Sequence, residues 1–260
     1  MILSVSLSLP IVQSCIDTAV MEFPDPVLVA FITAALYIGY IFSLRPDDFL
    51  VPVANDKHRV RGCQVHAWFP GHDQPYSISQ LHPPYIFPPS GTRPNRFSLL
   101  ADYDKANVTG DASMRACGAN PIPGQFCFIH WLYEFFLLFP ILDDRTAIFG
   151  SIPANTNTSP TFLYDCFRRT LKLTALKLGL RVSQLLPRGA RGAASAQIKG
   201  SGGSQQDCKL SGGWHSRAFE KYQRSDFAMS DRCAAAMHNI DAVDVNVVRY
   251  VHSTPRPPTL

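Results

Sequence analysis

The sequence predicts a predominantly α-helical protein with much irregular structure, an N-terminal transmembrane helix and no well-defined compact soluble domain. Two stretches of the chain support this prediction. Residues 27–44 form a run without any charged side chain, and residues 45–125 are interrupted repeatedly by proline. Charged residues make up only 17% of the 260-residue chain, below the roughly 25% that is usual for soluble proteins. We therefore expect part of the chain to lie outside water.

The uncharged run has recognisable helix boundaries. Asp25 can cap the first free amides, and Pro26 suits the first helical position because an amide there would have no helical acceptor. Arg45 places a cation at the negative end of the helix dipole, and Pro46 stops the helix. The run extends about 27 Å at the rise of an α-helix, close to the hydrocarbon thickness of a bilayer. These features predict a transmembrane helix over residues 27–44.

Two other interpretations of the N-terminal region stay open. An apolar helix at the short end of the spanning range also occurs in the centre of a large soluble domain. Residues 1–12 are alternatively a cleavable signal peptide, although no Lys or Arg precedes their hydrophobic stretch. In the preferred interpretation, residues 1–26 are a short N-terminal segment that precedes the membrane helix.

The distribution of cations predicts the orientation of this helix. Residues 1–26 contain no Lys or Arg, whereas four such residues lie between positions 45 and 61. Because cytoplasmic flanks carry the excess of positive charge, the N-terminus is predicted to be non-cytoplasmic in a membrane protein with one or two spans. With a single span, the glycosylation sequons at Asn107 and Asn157 would both face the cytoplasm.

Residues 126–142 form a second apolar segment, interrupted by His130, Glu134 and Pro140. Each central Leu, Ile or Phe favours membrane insertion by about 0.3–0.6 kcal/mol, whereas one central acidic residue opposes it by about 2.5–3.5 kcal/mol. The apolar residues therefore roughly offset Glu134 before the other two interruptions are counted. A second span stays an open alternative.

Cys127, His130 and Glu134 lie at positions i, i+3 and i+7 of this segment, so a helix would place them on one face. Three such side chains could bind a metal ion or carry protons in a membrane enzyme or transporter. The simpler alternative is a structural pair, because His130 and Glu134 are spaced to hydrogen-bond each other along a helix.

The proline-rich residues 45–125 are predicted to be irregular. Seven prolines lie between positions 70 and 94, which excludes long helices and central strands there. Cys63 and His66 are residue types that bind metal ions. A zinc finger, however, needs a second cysteine close to Cys63, and the sequence has no cysteine near that position. We predict no metal site and no cofactor.

Residues 143–186 form a basic amphipathic region. Between positions 145 and 206, nine Lys or Arg residues are opposed by a single acidic residue, Asp165. Within residues 162–186 some apolar side chains fit one face of a helix, whereas the stretch from Leu176 to Val182 alternates as a strand does.

A helical form of residues 162–186 could contact anionic lipid or another protein. The alternative is an ordinary packed helix or strand whose Lys and Arg side chains face water. The net charge of the whole chain is only +4, so we predict no specific nucleic-acid partner.

Residues 187–213 contain few apolar side chains to bury. Residues 187–213 are rich in Gly and Ser and are predicted to be a flexible linker. A small helix–strand region is predicted over residues 214–252, and residues 253–260 are predicted to be a disordered tail.

Three hypotheses for function follow. The preferred one is a membrane-anchored protein with a binding or interaction role and the lipid bilayer as a partner. The second is a membrane enzyme or transporter that uses Cys127, His130 and Glu134. The third is a reading frame without a selected fold or function, because the local signals disagree with one another. The sequence contains no catalytic or nucleotide-binding signature that would identify a catalytic residue.

Overall fold

A computed structural model describes the part of the chain formed by residues 9–42, 44, 46–50, 60–81, 92–100, 112–116, 127–149, 160–185, 187, 202–204 and 207. The predicted helix–strand region 214–252, the predicted tail 253–260 and the sequons at Asn107 and Asn157 lie outside these residues. Most of the predicted linker 187–213 lies outside them as well.

The described residues include five α-helices, which are α1 (Leu9–Glu22), α2 (Pro26–Ile41), α3 (Pro46–Phe49), α4 (Phe128–Leu138) and α5 (Pro160–Lys177). Helix α2 begins as the sequence predicts. Its first residue is Pro26, and the Asp25 carboxylate accepts a hydrogen bond from the Val27 amide at 2.9 Å. The helix ends at Ile41, before the predicted end at residue 44.

Helix α2 lies in the centre of the fold, where α1, α4 and α5 all pack against it. Thirteen of its sixteen residues are buried. The Phe31 ring lies 5.1 Å from the Phe135 ring, and the Tyr37 ring lies 5.0 Å from the Phe128 ring. The later residue of α2 thus contacts the earlier residue of α4, so the two helices are antiparallel. A helix with neighbours on several sides is expected to be apolar all round.

Among the described residues, no helix combines the length and the apolar character needed to cross a membrane. The predicted transmembrane helix over residues 27–44 is therefore wrong. The predicted membrane localisation, with one or two spans and a non-cytoplasmic N-terminus, is wrong for the same reason. The second apolar segment, residues 126–142, contains the eleven-residue helix α4. The apolar character of both segments reflects burial against the rest of this fold.

Helix α1 lies in the region predicted to be a short N-terminal segment, residues 1–26. Val12, Cys15, Ile16 and Ala19 are each no more than 1% exposed, and their spacing places them on one helical face. This face packs against α2 and α5. Residues 9–22 therefore contribute directly to the core.

A four-stranded antiparallel sheet lies within the proline-rich region, in the order β2-β1-β3-β4, with β1 at Val65–Trp68, β2 at Tyr76–Ser77, β3 at Arg96–Leu100 and β4 at Ala112–Ala116. The prolines lie outside the strands: Pro70 and Pro75 stand between β1 and β2, and Pro94 precedes β3. Strands of two to five residues fit between these prolines without losing a ladder hydrogen bond. The predicted predominantly α-helical fold class, with irregular structure in this region, is wrong because it omitted the sheet.

One face of the sheet packs against α4. The Phe97 ring of β3 lies 6.3 Å from the Phe136 ring, and the Phe69 ring, just after β1, lies 5.8 Å from the Tyr133 ring. The helices and the sheet thus contribute to one continuous hydrophobic core. The expectation that the chain has no well-defined compact domain is therefore wrong.

Candidate functional site

Helix α5 is amphipathic. Its buried side chains recur every three to four residues and comprise Leu163, Cys166, Phe167, Thr170, Leu171, Thr174 and Ala175. Arg168, Arg169 and Lys172 lie on the exposed side of the same helix. The helical interpretation of the basic region is thus confirmed up to Lys177, and the strand interpretation of the stretch from Leu176 is wrong.

The chain reverses direction at the end of α5 because Gly179 adopts a left-handed conformation, with φ +67°. The Leu180 amide donates to the Ala175 carbonyl at 2.8 Å, and the Gly179 amide donates to the Leu176 carbonyl at 3.1 Å. These two bonds form a Schellman motif, which satisfies carbonyls that the helix leaves free. The following residues are thereby directed back towards α5.

A groove of about 580 Å³ lies between α5 and this returning segment. Arg168, Arg169 and Lys172 contribute cations to its lining, and Asp165 contributes one carboxylate. The returning segment contributes the apolar residues Val182, Leu185 and Pro187, and the helix contributes Leu171 and Leu173. The groove therefore combines positive charge with an apolar surface.

The cations of the groove already make contacts within the protein. A terminal guanidinium nitrogen of Arg169 forms an ion pair with the Glu22 carboxylate at the end of α1. The Arg168 guanidinium carbon lies 5.8 Å from the centre of the Tyr164 ring, in cation–π range. Both arginines are exposed, so a ligand in the groove could reach them.

The three residues of the enzyme or transporter hypothesis lie at and within α4. Cys127 precedes the first residue of the helix and is buried, at 6% exposed. The Glu134 carboxylate lies 3.0 Å from an Arg93 guanidinium nitrogen and forms an ion pair with it. Within the described ranges, no group of three or more His, Cys, Asp or Glu side chains is placed to hold a metal ion. Cys127, His130 and Glu134 therefore offer no metal centre.

A polar cluster lies on the sheet face that points away from α4. His66 of β1 is paired directly with Ser77 of β2 and with Ser98 of β3. Directly paired residues of an antiparallel sheet share a face, so these three side chains are neighbours. The Trp68 ring nitrogen donates a hydrogen bond of 2.9 Å to the Ser98 hydroxyl on this face. Sequence reasoning missed this cluster because its members come from separate segments.

Asp144 joins this polar cluster from the loop of residues 141–149. The Ser79 hydroxyl donates to the Asp144 carboxylate, and the Ser77 hydroxyl lies 2.7 Å from the Ser79 hydroxyl. The Cys63 amide donates to the Asp144 carbonyl at 3.1 Å. Burial lowers the pKa of the His66 ring, and the nearby Asp144 carboxylate opposes this shift.

This arrangement does not resemble a serine nucleophile with its base. Nucleophilic catalysis needs a base that takes the proton from the serine hydroxyl, with the carboxylate orienting that base. Here the Ser79 hydroxyl donates to the carboxylate directly, and Ser77 and Ser79 are only 7% and 4% exposed. We interpret the cluster as a latch that holds the loop to the sheet.

The chain has no match among protein-family models, curated proteins or solved structures.

Two cysteines of the helical core have raised pKa values. Burial raises the pKa of the Cys15 thiol from its ordinary value of 9.0 to about 12. Burial raises the pKa of the Cys166 thiol to about 11. Because the thiolate is the nucleophile, neither thiol is expected to react while the protein is folded.

We predict that iodoacetamide at about pH 8 leaves Cys15 and Cys166 unmodified in the folded protein and alkylates both in denaturant. Peptide mass spectrometry locates the modified residues, and the half-buried Cys63 is the internal control, expected to react before Cys15 and Cys166. Rapid alkylation of Cys15 under native conditions would show that the interface between α1 and α5 opens.

The same pKa values predict a loss of stability at alkaline pH. The pKa of Cys15 is 9.0 when unperturbed and about 12 in the fold, so the unfolded chain releases its proton at lower pH. The stabilisation by the neutral thiol is complete below pH 9.0 and is lost as the pH rises towards about 12. Urea unfolding across this pH range should therefore show a smaller decline for Cys15→Ala than for the wild type, relative to the stability that each has at neutral pH.

Proposed function

We propose that this protein has a binding role and that the groove beside α5 takes a ligand with an anionic group and an apolar body. The observation that carries the proposal is the meeting of Arg168, Arg169 and Lys172 with an apolar wall in one groove of about 580 Å³. Small-molecule sites commonly have volumes of about 300–1,000 Å³, so the groove is large enough for a ligand of this kind.

The chemistry of the lining defines the ligand. Arginine guanidinium groups and a lysine ammonium group form charge-assisted hydrogen bonds with carboxylate, sulfonate or phosphate oxygens. The apolar side chains of Leu173, Val182 and Pro187 give favourable burial to an aliphatic or aromatic body. A neutral apolar compound would gain only the apolar burial, so the groove should bind an anionic ligand more tightly than a neutral one of similar size.

The first experiment is a fluorescence titration with anilinonaphthalenesulfonate, which carries one sulfonate on an aromatic body. We expect saturable binding to the wild type and at least about ten-fold weaker binding to Lys172→Glu, since a hydrogen bond to a charged group contributes about 1.5–3 kcal/mol. Arg168→Glu should weaken binding by a similar factor. The neutral probe phenylnaphthylamine should bind wild type and variants alike.

Lys177→Glu is the matched control, because Lys177 is an exposed lysine of the same helix that does not line the groove. It should change the affinity for the anionic probe by less than about two-fold, since exposed charges in salt solution interact weakly over distance. Equal losses for Lys172→Glu and Lys177→Glu would show that the probe senses only overall charge. The proposed site would then be incorrect.

A further inference from the structure

The last residue of α1, Glu22, lies next to the groove, at the negative end of the dipole of its own helix. The C-terminal end of a helix carries partial negative charge, so a carboxylate there is destabilised unless a cation compensates it. The last turn of α1 contains no basic residue. Arg169 of α5 supplies that cation through its ion pair with the Glu22 carboxylate.

The ion pair between Glu22 and Arg169 lies close to solvent. The Arg169 side chain is 63% exposed, and the Glu22 side chain is 26% exposed. Arg169 is also one of the three cations that line the groove. A ligand anion that approaches Arg169 therefore meets a guanidinium group that the protein's own carboxylate already neutralises.

We infer that Glu22 is an internal competitor for the anionic ligand and sets the affinity of the groove through Arg169, an inference that rests on the proposed binding function. In the empty groove the Glu22 carboxylate occupies Arg169. A bound anion exchanges with that carboxylate, and Glu22 then repels the anion from its position beside Arg169. Glu22 is thus a specificity-determining residue that lowers affinity for anions and leaves affinity for neutral apolar molecules unchanged.

The test is Glu22→Gln, which keeps the size of the side chain and removes its charge. Exposed ion pairs are weak, so we expect anilinonaphthalenesulfonate to bind this variant about two- to five-fold more tightly than the wild type. Binding of the neutral phenylnaphthylamine should not change. Glu134→Gln is the matched control, because it removes a carboxylate that is paired with an arginine, Arg93, and neither residue lines the groove. It should leave both affinities unchanged.

A double-mutant cycle separates competition at Arg169 from a general change of charge. In an Arg169→Gln background, Glu22→Gln should lose most of its effect, because the group for which Glu22 competes is then absent. An equal gain in both backgrounds would overturn the inference, and so would unchanged or weaker binding by Glu22→Gln. If the wild type does not bind the anionic probe at all, the proposed function fails first. If Lys172→Glu weakens binding while Glu22→Gln has no effect, only the role of Glu22 is overturned.

Discussion

Replacing Phe31 by alanine should destabilise the protein by about 3–5 kcal/mol, the usual cost of removing a buried phenylalanine ring. Phe31 is 1% exposed and lies in the central helix α2. Its ring lies 5.1 Å from the Phe135 ring, 5.0 Å from the Phe139 ring and 6.2 Å from the Phe149 ring. Truncation leaves a cavity among three aromatic side chains that come from two separate segments.

Urea unfolding followed by circular dichroism measures this cost. Phe162→Ala is the matched control, since Phe162 lies on α5 and is 45% exposed. Its effect should be about 1 kcal/mol or less, because much of the ring is already in water. If both variants lose the same small amount, α2 is not the centre of the core, and the packing of α4 against it would be in doubt.

The start of α2 could be predicted from the local sequence. Asp25 and Pro26 form the start signal that the structure contains, because capping depends only on neighbouring backbone groups. The environment of the helix could not be obtained in the same way. An apolar helix surrounded by lipid and an apolar helix surrounded by other helices have the same pattern, so the apolar residues 27–44 fit both interpretations.

The information that distinguishes the two environments lies in the partners of α2. In α1, Val12, Cys15, Ile16 and Ala19 form the face that covers α2 and α5. Two of these four side chains, Cys15 and Ala19, are small, so large apolar residues alone do not mark this face. In α5, Thr170 and Thr174 are fully buried. The buried face of α5 therefore includes polar residues that a periodicity of apolar residues does not mark.

The sheet and the groove depend on contacts between distant residues. Strands as short as Tyr76–Ser77 carry no measurable alternation of their own. The groove needs the reversal at Gly179, which brings Val182 and Leu185 back to α5. The basic composition of the region was visible in the sequence, whereas the apolar wall opposite those cations appears only after the chain has folded back.

Asp144→Ala should destabilise the protein by about 1–3 kcal/mol, the range for removing an acceptor and leaving buried donors without their charged partner. The Ser79 hydroxyl donates to the Asp144 carboxylate, and both Ser77 and Ser79 are buried. Without the carboxylate, these two hydroxyls keep only their mutual contact, and the loop of residues 141–149 loses its side-chain attachment to the sheet.

Hydrogen exchange provides a local measurement beside the global one. The Gly62 amide donates to the Thr146 carbonyl at 3.0 Å, and the Cys63 amide donates to the Asp144 carbonyl at 3.1 Å. Both amides should exchange faster in Asp144→Ala. The exchange rates of amides in α2 should change only as much as the global free energy of unfolding changes. Faster exchange confined to the two amides at the loop would show that the latch opens before the core does.

Asp143→Ala is the matched control for this experiment, because it removes a neighbouring, exposed carboxylate from the same loop. The Asp143 carboxylate accepts a hydrogen bond from the Arg145 amide at 2.9 Å, a contact within the loop itself. Its loss should cost less than that of Asp144 and should leave exchange at Cys63 unchanged. If the two variants behave alike, the attachment of the loop depends on backbone hydrogen bonds alone. In that case the hydrogen bond from the Ser79 hydroxyl to the Asp144 carboxylate would not stabilise the protein.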